Sequence, residues 1–235
     1  MAVITVSGSL GGGAREIAQA VAAELKLDYV DQEILVEAAQ ELGVSVSAVE
    51  SHDERPTSVG ERLAGMMRTL MERSAAAGAA DPMAGGGLET VLARTYGEAA
   101  ELPEAGGGQL DDERYIRTLT SVIRGVAARG NVLILGRGSQ AILRDMPDAL
   151  HVYIAASKNE RIAYLVEREG MAHADAEKRI KQSDHNRQAF HRRYFKIDAD
   201  DPCMYDITVH SGSLSLHSAV KLIAVAAAEK SPRPG

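Results

Sequence analysis

Short runs of apolar and β-branched residues alternate along the chain with longer segments whose apolar positions recur every three or four residues. The first pattern suits strands and the second amphipathic helices. Strands are expected at about 2–7, 28–31, 131–135, 150–155 and 205–210, and helices at about 14–25, 32–41, 139–144, 158–167, 174–190 and 215–229. Such an alternation predicts an α/β fold in which crossover helices cover a parallel sheet. The third strand is the clearest, since Val132-Leu133-Ile134-Leu135 is apolar throughout, as expected of a strand buried on both faces.

Between the second and third strands lie about 90 residues, far more than an ordinary connection. Its edges have helical spacing: Val59, Leu63, Met66, Met67 and Leu70 on one side, and Tyr115, Leu119, Val122, Ile123 and Val126 on the other. The middle, 74–110, holds eight Gly and ten Ala in 37 residues, and two Pro and the Gly triplets at 85–87 and 106–108 interrupt any helix. The expectation is a single domain over 1–230 with an insertion at about 53–112, its flexible core at 74–110, and a disordered tail at 231–235. A loop without a role of its own and a substrate-covering lid are both compatible with the insertion's composition.

Composition narrows the function classes. The 235 residues include 26 Lys or Arg and 33 Asp or Glu, a net charge of −7 that argues against a general nucleic-acid binder. One cysteine, Cys203, allows neither an internal disulfide nor a cysteine-based zinc site. No apolar run approaches a membrane span and the N-terminus lacks a basic start, so the expectation is a cytoplasmic protein without a membrane partner.

The most informative segment follows the first strand: Ser7-Gly8-Ser9-Leu10-Gly11-Gly12-Gly13-Ala14-Arg15-Glu16, with helical periodicity starting at once. Backbone N–H groups of such a loop can point at phosphate oxygens, and the helix N-terminus adds partial positive charge. Against the template G-x-x-x-x-G-K-[ST], Gly8 and Gly13 occupy the glycine positions, whereas Ala14 replaces the lysine and Arg15 the hydroxyl residue. A structural tight turn is the competing reading. Arg15 is a candidate substitute cation, because guanidinium matches phosphate oxygens bidentately. Only Ser7 and Ser9 offer nearby hydroxyls, so magnesium would be held largely by the nucleotide and water, and no protein metal ligands are assigned.

Two further segments reach the carboxyl edge of the sheet, where ligands bind in doubly wound folds. Asp31 ends the second strand and orients a hydroxyl, holds a metal-bound water or caps the helix that begins at Gln32. Arg137, between Gly136 and Gly138, follows the third strand and suits an anionic substrate. Residues 158–193 hold nine Lys or Arg and six Asp or Glu, a local excess of positive charge in an acidic chain. Within it Lys181, Asp184 and Arg187 share one side of a helix, the kind of cationic segment that stabilises a moving phosphoryl group. His173, His185 and His191 form no metal-ligand pattern.

These blocks resemble the cytidylate kinase-like family, a branch of the nucleoside monophosphate kinases. The resemblance rests on Ile4-Thr5-Val6-Ser7 through Ile17-Ala18, Tyr29-Val30-Asp31-Gln32-Glu33-Ile34, Val132 through Gly138, Asp184-x-x-Arg187, and Tyr205-Asp206. A lysine-free loop of the G-S-G-G-R-E type characterises that branch, although here Gly12 stands for its serine and Ala14 for one glycine. True cytidylate kinases read E-G-R-D where this chain has Leu135-Gly136-Arg137-Gly138. The resemblance implies a P-loop NTPase-type three-layer α/β sandwich with a five-stranded parallel sheet and a helical lid at about 158–193. It also implies ATP with Mg2+ and transfer of a phosphoryl group to a CMP- or dCMP-like monophosphate. Gly8, Ser9, Gly11, Gly12, Gly13, Ala14, Arg15 and Glu16 would hold the donor. Asp31, Arg137, Asp184 and Arg187 would hold the acceptor, with Arg15, Arg137 and Arg187 as the catalytic cations. Arg161, Arg179, Lys181 and Arg192 are weaker candidates. A nucleotide-binding regulatory or partner protein without turnover, and a kinase for another small hydroxylated acceptor, stay open, as does a homodimer.

Overall fold

The computed structural model describes residues 2–43, 46, 49 and 112–230. The expected insertion core, the helical edge at 59–70 and the tail lie outside the described residues. In chain order the elements are β1 (Val3–Gly8), α1 (Ala14–Leu25), β2 (Asp28–Val30), α2 (Glu33–Leu42), α3 (Asp112–Arg129), β3 (Val132–Leu135), α4 (Ser139–Ile142), β4 (Ala149–Ala155), α5 (Lys158–Glu169), α6 (His173–Phe195), β5 (Ile207–His210) and α7 (Leu216–Glu229).

The five strands form one parallel sheet in the order β2-β3-β1-β4-β5. β1 lies at its centre, with Val6 opposite Leu135 on one side and Val152 on the other. Because every strand points the same way, the ends of β1, β2 and β3 deliver Ser9, Asp31 and Arg137 to one edge.

Strand alternation sends side chains to two cores. On one face Val3, Val132 and Ile134 pack with α2 and α3, and Phe190 of α6 joins them. On the other Ile4, Val6, Leu133, Leu135 and Val152 pack with α1 and α7. This is the three-layer arrangement expected of uninterrupted apolar strands. A third, small cluster lies between α5 and α6, where Ile162, Leu165, Ala176 and Ile180 pack with Leu10 of the glycine loop.

Local chemistry accounts for the boundaries. α5 starts with a capping box in which Ser157 and Glu160 satisfy each other's backbone N–H groups, and it ends at Gly170 in the left-handed region. α4 is shorter than its apolar pattern suggests, stopping at Ile142 before a turn toward β4 that contains Pro147. β5 starts two residues late because Pro202–Met204 form a 3-10 turn capped by the Asp201 carboxylate. α6 runs to Phe195, beyond the expected end, because Tyr194 and Phe195 continue the aromatic contacts of Phe190.

Candidate functional site

The glycine loop turns tightly between β1 and α1. The Gly12 N–H donates to the Ser9 carbonyl at 3.0 Å, and Gly11 and Gly13 adopt φ of 78° and 73°. A Cβ on Gly8 would lie 2.7 Å from the Ala14 methyl carbon, and one on Gly11 would lie 2.6 Å from the Arg161 carbonyl oxygen. Glycine at these positions is a requirement of close approach rather than of composition. α1 begins at Ala14 with no side-chain cap, so its first N–H groups are left for another acceptor, the usual donor set for an anion.

At the next two strand ends, two arginines converge on one carboxylate. Arg15 Nη2 bonds Asp31 Oδ2 at 2.5 Å and Arg137 Nη2 reaches Asp31 Oδ1 at 3.5 Å. Asp31 and Arg137 are buried, whereas Arg15 is 44% exposed at its side chain. Desolvation is the largest single influence on the Arg15 guanidinium and lowers its affinity for a proton, but the Asp31 charge, the nearby Tyr29 and the Asp31 hydrogen bond together outweigh it, and the net shift is upward. Glu33 accepts the Asp31 N–H at 2.8 Å, and burial pushes its carboxyl above the ordinary range. Asp31 itself lies just past β2 and leads into Gln32, which caps α2 without a side-chain bond. Arg137 sits between Gly136 and Gly138 with all three residues at positive φ, a turn that aims its side chain back along the sheet edge at Asp31.

The cationic segment forms α5 and α6. Arg187 lies over the Tyr153 ring at 5.8 Å and donates to Ser9 Oγ at 3.4 Å, to the Ala199 carbonyl at 3.2 Å and to Asp200. Burial raises the Asp200 carboxyl, but its bonds from Arg187, Tyr153 and Gln188 outweigh this and hold it below the ordinary range. Asp184 is paired with Arg161 through two bonds of 2.9 and 2.7 Å, and Arg161 Nε also donates to the Leu10 carbonyl at 2.7 Å. Glu16 accepts from the Tyr164 hydroxyl, whose pKa is pushed up to about 12 by burial and by that neighbour.

The expected residues therefore divide into three groups. Gly8, Ser9, Gly11, Gly12, Gly13 and Ala14 form the loop, with Arg187 at its mouth. Arg15, Asp31 and Arg137 form a separate buried-edge cluster. Asp184 and Glu16 are bonded to residues of α5. Arg161, a weaker candidate by sequence, ties the loop to Asp184, while Arg179 pairs with Glu169 on the surface. Tyr153, Asp200, Gln140 and the contact of His191 escaped sequence reading. Tyr153 looks like an ordinary strand aromatic, and Asp200 sits in an Asp-rich turn, so spacing alone gives no signal.

Chemically, the arrangement offers an anion cradle, a buried arginine at its mouth and a second cationic cluster at the same edge of the sheet. Among the described residues no group of three His, Cys, Asp or Glu could hold a metal ion, and no helix is long and apolar enough to cross a membrane.

Comparison with solved structures bears on the fold. An uncharacterized protein from Eubacterium ventriosum aligns with a TM-score of 0.62 at 16% identity, covering 97% of this chain and 99% of that one. A shikimate kinase from Bacteroides thetaiotaomicron aligns with a TM-score of 0.47 at 13% identity, covering 95% and 96%. Among curated proteins there is no match. The family model described as the cytidylate kinase-like family matches residues 3–213, a span that runs from the first residue of β1 through the glycine loop, Arg137 and α6 to just beyond β5. The chain belongs to the cytidylate kinase-like family.

Proposed function

We propose that the protein transfers a phosphoryl group from ATP to a nucleoside monophosphate of the CMP or dCMP type. The observation that carries this reading is the meeting of Arg187 with Ser9, which sets a guanidinium from α6 against the glycine loop. Phosphoryl transfer needs little covalent chemistry from the protein; it needs alignment and neutralisation of charge on the moving group. In this reading the loop N–H groups and the start of α1 bind the donor phosphates. Arg187 exchanges Asp200 for the transferring group. Arg15, read from the sequence as a cation for the donor, is paired with Asp31, so in this reading it joins Arg137 in binding the acceptor phosphate while Asp31 fixes their orientation. α5 and α6 are the lid.

The uncapped N–H groups at the start of α1 support a phosphate of ATP at the loop. Magnesium would supply charge neutralisation on the donor. Ser9 and Ser7 are the nearest hydroxyls, but Ser7 donates to Gln140, so the ion's remaining ligands would be phosphate oxygens and water.

The test is ADP release from MgATP in the presence of a panel of monophosphates. Release that depends on CMP or dCMP is expected. Tight ATP binding with no acceptor-dependent release across the panel would refute the kinase reading. It would favour a nucleotide-binding partner protein, to which Ala14 in the lysine position already lends support.

A further inference from the structure

Gln140 is completely buried, one residue into α4 and three residues after Arg137. A buried primary amide has an acceptor and two donors to satisfy. Its oxygen accepts from Ser7 Oγ at 3.1 Å, one residue before the glycine loop. Its nitrogen lies 2.9 Å from His191 Nε2 and 3.5 Å from the Tyr205 hydroxyl.

The proton directions follow from the outer contacts. His191 Nδ1 lies 2.9 Å from the Arg187 carbonyl oxygen. A carbonyl can only accept, so Nδ1 carries the proton, Nε2 of the neutral ring accepts, and Gln140 donates to it. The Tyr205 hydroxyl donates to the Ala199 carbonyl at 2.7 Å, which leaves its oxygen to accept the second Gln140 N–H. Ala199 also accepts from Arg187 Nη1 at 3.2 Å. Arg187 is thus held at both ends, its backbone carbonyl through His191 and its guanidinium through the carbonyl that Tyr205 fixes. Both routes start at one amide.

We propose that Gln140 is a positioning residue that couples the Arg137 turn to the lid, holding Arg187 at the mouth of the glycine loop through His191 and Tyr205. The inference rests on the kinase reading for its purpose, though not for its geometry. An apolar side chain of the same size would fill this volume but would take the amide partner from the buried Ser7 hydroxyl and from His191 Nε2. The network instead joins β1, α4, α6 and the segment after α6, which are the elements that bring Ser9, Arg137 and Arg187 together.

The test uses the full chain with Gln140→Leu and Gln140→Glu, and MgATP as the probe. In Gln140→Leu, amide exchange across 187–204 is expected to rise about tenfold while β1, β3 and α1 keep wild-type rates. Unchanged exchange there, or a uniform rise across the sheet, overturns the positioning role. MgATP is expected to bind this variant about threefold to tenfold more weakly than wild type, without slowing exchange across 187–204 as it does in the wild type; wild-type affinity with that slowing restored overturns the positioning role. Gln140→Glu retains an acceptor for Ser7 and sets a carboxylate against His191 Nε2. Nitrogen NMR at the same mildly alkaline pH should then report an imidazolium in the variant and the Nδ1–H tautomer in the wild type. A neutral His191 in the variant, or an Nε2–H tautomer in the wild type, overturns the contact itself. Failure of the wild type to bind MgATP removes the kinase reading, and the ligand-free exchange and NMR then decide the role of Gln140 alone.

Discussion

Arg161 donates its Nε proton to the carbonyl oxygen of Leu10 at 2.7 Å, holding the tip of the glycine loop from 151 residues away in the chain. Its two terminal nitrogens are bonded to Asp184, so one planar group fixes the loop, α5 and α6 at once. Removing it strands a loop carbonyl and a half-buried carboxylate. Arg161→Ala should cost about 2–4 kcal/mol in urea unfolding and weaken MgATP binding as well. Arg161→Lys should recover little, because one ammonium cannot meet three acceptors in a plane. Wild-type stability in either variant would contradict this role.

Gly11 has φ of 78° and its absent Cβ would fall 2.6 Å from the backbone oxygen of Arg161. Backbone cannot step aside as a side-chain tip can, so Gly11→Ala should cost about 2–4 kcal/mol. Gly43 has a similar φ of 65° with nothing within 4 Å of the added atom. There alanine should cost only about 1 kcal/mol. The difference between the two, measured by thermal unfolding, isolates the crowding of the loop from its backbone strain.

Asp200 holds the Arg187 guanidinium, which the proposed reaction needs for a phosphoryl group. Asp200→Asn keeps the shape and removes the charge, so MgATP affinity measured calorimetrically at low salt should rise about threefold to tenfold. The same carboxylate has a pKa lowered by folding, so its contribution to stability is present above the unfolded value. That contribution is lost as pH falls through the lower folded value. The variant's unfolding profile should therefore be flatter than the wild type's across the acidic carboxylate range. Weaker MgATP binding in Asp200→Asn would mean that the carboxylate assists the phosphate site.

Glu33 titrates in the opposite sense. Burial raises its folded pKa, so the stability linked to its proton is present below the unfolded value and lost as pH rises through the folded value. Glu33→Gln preserves an acceptor for the Asp31 N–H and removes the buried charge. The variant should melt higher than wild type at neutral pH, and the gain should disappear on acidification below the carboxylate range. A lower melting temperature at neutral pH would show that the charge is needed by Arg15.

The sheet was legible because β3 is short and apolar throughout and both β3 and β1 run straight into glycine turns, leaving little choice of element. The loop, Arg15 at the start of α1 and Arg137 after β3 were legible for a related reason, since topology carries them to one edge. The pairing of Asp184 with Arg161 was not, because a charged residue on a helix looks the same whether it faces a substrate or another helix. Leu10 was hidden for a related reason: a lone leucine within a glycine loop has no periodicity to declare which core it joins. Gln140 and His191 are polar residues in otherwise ordinary helical segments, and only the meeting of four elements gives them partners.

The seating of Leu10 in the small α5–α6 core has a kinetic meaning. α6 is a 23-residue rod, roughly 35 Å long, with Ala176 and Ile180 in that core and Phe190 in the main one. Neither end can swing without unseating apolar side chains. Displacement of α6 and deformation of the glycine loop are therefore a single coordinate, and in the proposed kinase a bound nucleotide would leave as the few methyl groups around Leu10 loosen rather than past a freely hinged flap.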